Sequence, residues 1–384
     1  MPRDVEFSIS FPAHINPGLE LAREHHLRWL ARMRLASGDE AVRRYRFAQI
    51  ADFTAFAYPF DSGEGFDLAV DVTGFFFLLD DQFDTPDARQ ARHAVAACEE
   101  MIALMSRPST ASNHPPPIIA AYAELWQRMT QGMSPTWRAR AAQDWAEYLA
   151  GNITETADRA NGAALTSETH LHVRRKTIGV RPSLTLAERS GHFEVPALAW
   201  HSSHLETMRL LTIDHVLLVN EVFSLDKDEA RNDPNLITSL MRERTWTRAQ
   251  AIDHVRTRAD ELLTVFRDMQ DGLTALCRAL ALSAPERDAV HRYVEAMRCL
   301  IRGNYDWSRV NGRYSPEVTR ITAHDQAGYL NVEDLVGTGT TPPATSTSGT
   351  GANAIHPAEQ CIAGTTALPR KASVGPDSHC DCSG

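Results

Sequence analysis

The residues best suited to do chemistry stand where apolar runs end. Phe75-Phe76-Phe77-Leu78-Leu79 stops abruptly in Asp80-Asp81-Gln82-Phe83-Asp84. On a helix, Asp80 and Asp84 share one face, a turn apart. Like charges at that spacing repel and weaken the helix. A sequence that keeps them against an apolar wall is suited to holding a cation there. Oxygen-only ligands favour a hard ion such as Mg²⁺, which completes its shell with waters and phosphate oxygens. Taken alone, the acidic motif fits a solvated helix end equally well.

A second stretch answers the first. Leu210, Leu211, Ile213, Val216, Leu217, Leu218 and Val219 lead into Asn220-Glu221-Val222-Phe223-Ser224-Leu225-Asp226-Lys227-Asp228. Each step of four residues turns only ~40° around a helix, so Asn220, Ser224 and Asp228 form one stripe of oxygens. An amide, a hydroxyl and a carboxylate can chelate a hard cation with little repulsion among themselves. Polar caps near a helix end read the same way when this triad stands alone. Lys227 adds a compact positive charge that could meet a phosphate.

Two further clusters carry cations. Arg174-Arg175-Lys176 runs into Thr177-Ile178-Gly179-Val180-Arg181-Pro182. Pro182 has no N–H for the carbonyl of Ile178, and Gly179 loosens the same turn. The pattern predicts a helix break with carbonyls near Ile178 and Gly179 left facing a cavity, or a plain surface kink. Trp307-Ser308-Arg309-Val310-Asn311-Gly312-Arg313-Tyr314 closes the last long helical pattern. Its Arg–Tyr pair is either a surface cap or the lid of a phosphate pocket.

Helices must position all of this. A 3.6-residue apolar rhythm predicts helices near 17–35, 39–58, 64–83, 87–106, 117–132, 135–160, 167–189, 196–225, 234–242, 247–279 and 284–309. Prolines mark most of the breaks. Alternating strand patterns are nearly absent, so the fold class is all-α. The 384 residues are 43% hydrophobic and 23% charged, enough for a sizeable core. A net charge of -10 speaks against a nucleic-acid partner. No apolar run reaches a membrane span, and the N-terminus has no signal pattern, so a cytoplasmic protein is expected. Cys98, Cys277 and Cys299 fall in helical patterns and read as reduced core residues.

Four such clusters in this order resemble the bacterial class I terpene cyclases over about residues 1–335. Asp80-Asp81-Gln82-Phe83-Asp84 is similar to that family's aspartate-rich motif. Asn220, Ser224 and Asp228 are similar to its second metal triad. The resemblance implies an isoprenoid-synthase α-helical bundle over residues 1–336. It implies Mg²⁺, three ions in the family with Mn²⁺ able to substitute, held by Asp80 and Asp84 on one wall and by Asn220, Ser224 and Asp228 on the other. The diphosphate-sensing arginine is Arg175, four residues before Gly179. Lys227, Arg313 and Tyr314 complete the diphosphate grip, and the carbonyl at Gly179 assists ionisation. Phe76, Phe77 and Trp307 are the aromatic faces for a carbocation.

The implied substrate is a small-molecule prenyl diphosphate, farnesyl diphosphate first, cyclised to a sesquiterpene by a monomer or homodimer. A cyclase for geranylgeranyl diphosphate is the alternative. A chain-elongating prenyltransferase would usually carry a second aspartate-rich motif in place of the Asn/Ser/Asp triad. A non-catalytic helical scaffold would leave the acidic motif as solvated decoration. The chain departs from the family at Asp228, where Glu is usual, and at Glu221, where Asp is common. Glu229 could substitute for Asp228, but it is rotated ~100° from the stripe.

From residue 337 the composition turns to Gly, Thr, Ser, Ala and Pro, and a disordered tail over 337–384 is expected. Deleting residues 340–384 should leave the melting temperature and the product unchanged. Thermal denaturation of the truncated chain checks this, and a large loss of stability would show that the tail docks.

Overall fold

Helix starts in this chain are written as side chains that satisfy free backbone N–H groups. The computed structural model describes residues 4–36, 39–83, 88–107, 115–162 and 164–314. Ser134, Thr166, Ser202 and Asn235 accept from the N–H groups of Trp137, Thr169, Leu205 and Ile237. Thr247 with Gln250 and Ser283 with Glu286 form reciprocal capping boxes. Pro117 and Pro135 open their helices, where a missing N–H costs nothing.

Among the described residues the chain forms helices and no strand. They are α1 (Leu19–Arg32), α2 (Asp39–Ala48), α3 (Ile50–Ala57), α4 (Gly63–Phe83), α5 (Ala88–Ser106), α6 (Pro117–Thr130) and α7 (Pro135–Ala160). Then come α8 (Ser167–Thr177), α9 (Val180–Ser190), α10 (Ala197–Trp200), α11 (Ser203–Arg231) and α12 (Leu236–Arg244). The last three are α13 (Arg248–Asp271), α14 (Leu273–Ala279) and α15 (Ala284–Val310). Contacts divide the chain into Met1–Thr338 and Gly339–Gly384. Every described residue belongs to the first unit. The expected tail and Asp84 lie outside the described residues.

Four expected helices are each two. The pattern over 39–58 breaks at Gln49, whose φ of 53° ends α2 and redirects the chain into α3. The pattern over 167–189 breaks at Gly179, as Pro182 and Gly179 foretold. The third, 196–225, is the short α10 followed by α11, which runs on to Arg231 and so carries Asp228 within its helix. The fourth, 247–279, divides at Gly272 into α13 and α14. Apolar periodicity does not see these breaks, because both halves bury the same face.

Helix α4 is the central strut. Phe75, Leu78 and Leu79 are buried, and the helix packs against α1, α3, α5, α6 and α9. It also carries Asp71, which is fully buried and ionic. Its carboxylate accepts from His26 Nδ1 at 2.8 Å, Arg128 Nη1 at 2.8 Å and His25 Nε2 at 3.3 Å, tying α1 and α6 to α4. Burial opposes that charge, but these partners outweigh it and hold the carboxyl well below its ordinary pKa.

Helix α9 packs against α4, α7, α11 and α15. Together they wall a cavity that opens toward the C-terminal ends of α4, α11 and α15. Elsewhere in the bundle the guanidinium groups of Arg140 and Arg209 lie 4.0 and 4.2 Å from the ring of Trp200.

The approach of α15 to α3 sets where Trp307 sits. A Cβ on Gly303 would lie 2.7 Å from the backbone carbon of Phe56 and 2.9 Å from its carbonyl oxygen. Only glycine allows that contact. Gly303→Ala should therefore destabilise the fold by about 1–3 kcal/mol through overpacking, read as a lowered urea midpoint. An unchanged midpoint would mean that α15 shifts away without cost.

Candidate active site

The break between α8 and α9 shapes one side of the mouth. Gly179 has φ 74°, and a Cβ there would meet only Tyr148 at 3.7 Å. Glycine is thus required by the backbone conformation rather than by space. The sequence predicts carbonyls near Ile178 and Gly179 facing a cavity, or a plain surface kink, and the structure separates the two carbonyls. Gly179 O accepts from Ser183 N at 3.1 Å and Ser183 Oγ at 2.8 Å, as the first bonds of α9. Among the described residues no hydrogen bond reaches the carbonyl of Ile178, because Pro182 brings no N–H to it. The carbonyl able to act on a ligand is therefore that of Ile178, while Gly179 supplies the turn.

The same break decides between two arginines. The Arg175 side chain turns outward, with Nε on Asp214 Oδ1 at 2.6 Å and Nη2 on Oδ2 at 2.9 Å, and does not line the cavity. Arg174 lines it instead. Its Nη1 donates to Thr177 Oγ1 at 2.9 Å and its Nη2 to Asn220 Oδ1 at 3.1 Å. The placement expected for Arg175 thus belongs to Arg174. Counting four residues back from Gly179 selects the wrong neighbour, because successive residues point ~100° apart on α8.

Behind Arg174 stands Glu221, one of the family departures. It is buried, and Oε1 accepts from Arg174 Nε at 2.9 Å. Oε2 accepts from His170 Nε2 at 2.9 Å and from the N–H of Leu236 at 2.7 Å. Burial opposes its charge, but His170, Arg174 and the Leu236 N–H outweigh it and bring its pKa down to about 2.

The two oxygen walls meet across the mouth. Asp80 lies on one side, and its Oδ2 accepts from Arg313 Nη2 at 3.1 Å. Asn220, Ser224 and Asp228 line the other. Ser224 Oγ donates to Asp228 Oδ2 at 2.6 Å, and Asn235 Nδ2 donates to the same oxygen at 2.9 Å. Asn220 Nδ2 donates to Tyr314 Oη at 2.8 Å. Glu229 is exposed, with Arg248 3.4 Å away, and does not line the cavity. The shorter Asp228 therefore remains the carboxylate of the stripe. Lys227, Arg313 and Tyr314 also line the mouth and are buried.

Below the mouth the wall is aromatic. Phe76 stacks on Trp145 with centroids 4.6 Å apart and meets Tyr148 edge-on at 5.0 Å. Phe77 faces Trp307 at 5.4 Å, and Phe53 packs on both. Trp307 is fixed by its Nε1, which donates to Gln49 O at 2.7 Å. Phe53 and Tyr148 escaped the sequence reading, since a buried aromatic on a helix looks like ordinary core. Arg159 and Asp233 at the rim escaped as well, having no motif to mark them. The open space between these walls, solvent at the mouth included, is about 1110 Å³.

The donors suit a hard divalent ion: two carboxylates, an amide oxygen and a hydroxyl, with no nitrogen or sulfur among them. This chemistry agrees with its relatives. The family model described as "Terpene synthase family 2, C-terminal metal binding" matches residues 71–264. An R-linalool synthase of Streptomyces clavuligerus is 41% identical over 334 residues, 87% of this chain and 98% of its own. A pentalenene synthase of Streptomyces avermitilis is 38% identical over 337 residues, 86% and 98% respectively. The crystal structure of the linalool/nerolidol synthase from Streptomyces clavuligerus superposes with a TM-score of 0.74, at 41% identity over 79% of this chain and 100% of that one. The chain belongs to terpene synthase family 2. It is a bacterial class I terpene synthase with the α-helical fold of that class.

The two arginines give a direct test. Arg174→Lys keeps a charge but loses the planar fork, and kcat/KM should fall about 10²-fold. Arg175→Lys should stay within a few-fold of wild type, since it disturbs only an outward ion pair. Steady-state kinetics of diphosphate release would reverse the assignment if Arg175→Lys were the inactive variant.

Proposed function

We propose that this terpene synthase ionises farnesyl diphosphate and steers the resulting allylic carbocation to a sesquiterpene, releasing diphosphate. The observation that carries this reading is the meeting of two oxygen-donor walls with Arg174, Lys227, Arg313 and Tyr314 at the mouth of one aromatic cavity. The C15 substrate is supported by a relative 37% identical, named as a (-)-beta-caryophyllene synthase that cyclises (2E,6E)-farnesyl diphosphate.

Asp80, Asn220, Ser224 and Asp228 would hold the Mg²⁺ ions, three in number, with Mn²⁺ able to replace them. When bound, these ions supply Lewis-acid charge to the leaving diphosphate. The chain's own groups do the rest. Arg174 and Arg313 offer bidentate donors to diphosphate oxygens, and Lys227 and Tyr314 offer single ones. Arg174 must turn from Asn220 Oδ1 toward the diphosphate, which frees that amide oxygen for the ion. The Ile178 carbonyl presents its negative end to the allylic carbon as positive charge develops. Phe53, Phe76, Phe77 and Trp307 exclude water and set aromatic faces beside the cation. The chain acts as a monomer or homodimer.

Incubation with C10, C15 and C20 allylic diphosphates and Mg²⁺, followed by gas chromatography–mass spectrometry, tests the reading. Farnesyl diphosphate should give cyclic C15 products, and Asp80→Ala should lose turnover by about 10³-fold while staying folded. Conversion of geranylgeranyl diphosphate alone would move the substrate to C20. Chain growth on added isopentenyl diphosphate would make the protein a prenyltransferase.

A further inference from the structure

Two polar side chains beside the aromatic wall of the cavity keep hydrogen-bonding capacity unused. Thr73 on α4 is 3% exposed and Asn304 on α15 is 4% exposed, and both line the cavity. Among the described residues Thr73 Oγ1 has no hydrogen-bond partner. Asn304 Nδ2 makes one long bond, to Val216 O at 3.4 Å, and its Oδ1 makes none. Neither oxygen is sealed in the protein interior; both residues line the cavity, where a water can reach them. Thr73 also forgoes the common bond from a helical threonine hydroxyl to the carbonyl four residues back, which Thr54 makes to Ile50. Packing alone would be served better by valine and leucine.

The two groups occupy matching levels. Thr73 is one turn below Phe77, and Asn304 lies three residues below Trp307, the ring that faces Phe77. Both helices run toward the mouth, where Asp80 and Arg313 meet. Between them stands α9, which packs against both and brings Ser183 to the same cavity. Ser183 Oγ gives its proton to Gly179 O and keeps lone pairs to accept with. Thr73 is seven residues below Asp80 on α4, which puts it ~10 Å beneath the mouth at 1.5 Å per residue.

We propose that Thr73 and Asn304 hold a water molecule that ends the reaction, so that the product is a terpene alcohol. This rests on the proposed ionisation of a prenyl diphosphate. A buried water needs two to four polar partners, and Thr73 Oγ1, Asn304 Oδ1 and Ser183 Oγ supply acceptors on three neighbouring walls. Bonds to Asn304 Oδ1 and Thr73 Oγ1 through its hydrogens leave the water's lone pair directed at the cation. The water oxygen forms a C–O bond to the cationic carbon, giving a protonated alcohol. That species loses its proton to the diphosphate released in the same turnover. The sum is prenyl diphosphate plus water giving alcohol plus hydrogen diphosphate. The depth of the pair assigns the hydroxyl to a carbon remote from the ionised C1 and its allylic partner C3.

The test is a reaction of the full chain with farnesyl diphosphate and Mg²⁺ in H₂¹⁸O, with diphosphate release measured alongside the mass spectra. The main product should be an alcohol carrying ¹⁸O at a position other than C1 or C3. Thr73→Val and Asn304→Leu should each lower the ratio of alcohol to hydrocarbon about tenfold per diphosphate released. Thr73→Ser, which keeps the hydroxyl, should hold that ratio. Thr73→Val and Asn304→Leu variants that still release diphosphate with the ratio of alcohol to hydrocarbon at its wild-type value overturn the proposal. Diphosphate release with hydrocarbons alone, or with only an acyclic allylic alcohol, overturns the water site and leaves the proposed function standing. No diphosphate release from any prenyl substrate overturns both.

Discussion

The mouth of this enzyme depends on one buried carboxylate. Glu221 joins α8 through His170 and Arg174, and α12 through the Leu236 N–H, while itself sitting on α11 beside the stripe of Asn220, Ser224 and Asp228. A charge so deep is tolerated because every oxygen is matched, and removing one member of such a set costs about 3–5 kcal/mol. The extra methylene relative to aspartate lets one side chain reach two helices at once. Asn235 completes the arrangement from the start of α12, bonding both the Glu221 carbonyl and Asp228 Oδ2. The shorter carboxylate of Asp228 is thereby braced by a neighbour.

The rest of the molecule keeps charge and dryness apart. Cations and oxygens crowd the rim, where Asp80, Arg313, Arg174, Lys227 and Asp228 lie within one mouth. Beneath them the walls are rings and aliphatic chains. Charge also lies buried between α7 and α9, where Arg140 Nη2 donates to Glu188 Oε1 at 2.8 Å and Thr185 Oγ1 donates to Asp144 Oδ2 at 2.5 Å. Burial lifts the Glu188 pKa to about 7 even against Arg140. A carbocation formed at the rim thus meets few nucleophiles below it, which is what makes the Thr73 hydroxyl and the Asn304 amide oxygen chemically conspicuous.

Much of the fold and both oxygen-donor walls were legible in the chain. Asn220, Ser224 and Asp228 read as one stripe because helical geometry alone sets a four-residue spacing, and Asp80 stood out because charge follows an apolar run. The break at Gly179 was equally readable from proline and glycine chemistry. Less legible were the divisions at Gln49 and Gly272, where both halves of an apolar pattern serve one core. Arg175 was the misread residue. Its identity and spacing fit, but only the packing of α8 on α11 tells which of two adjacent arginines looks inward.

What the sequence by itself determined is local: helix starts and stops, the spacing of donors along one helix, and the chemistry those donors can offer. These follow from propensity, capping and a fixed rise per residue, none of which needs a second element. What only the tertiary structure decided is convergence. It brought Asp80 and Arg313 to 3.1 Å across 233 positions of sequence. It chose Arg174 over Arg175 and made Ile178, not Gly179, the free carbonyl. It turned Thr73 and Asn304 from unremarkable helical residues into the polar floor of an apolar room. Such facts depend on the rotation and approach of separate helices, which side-chain packing sets and no single helix encodes.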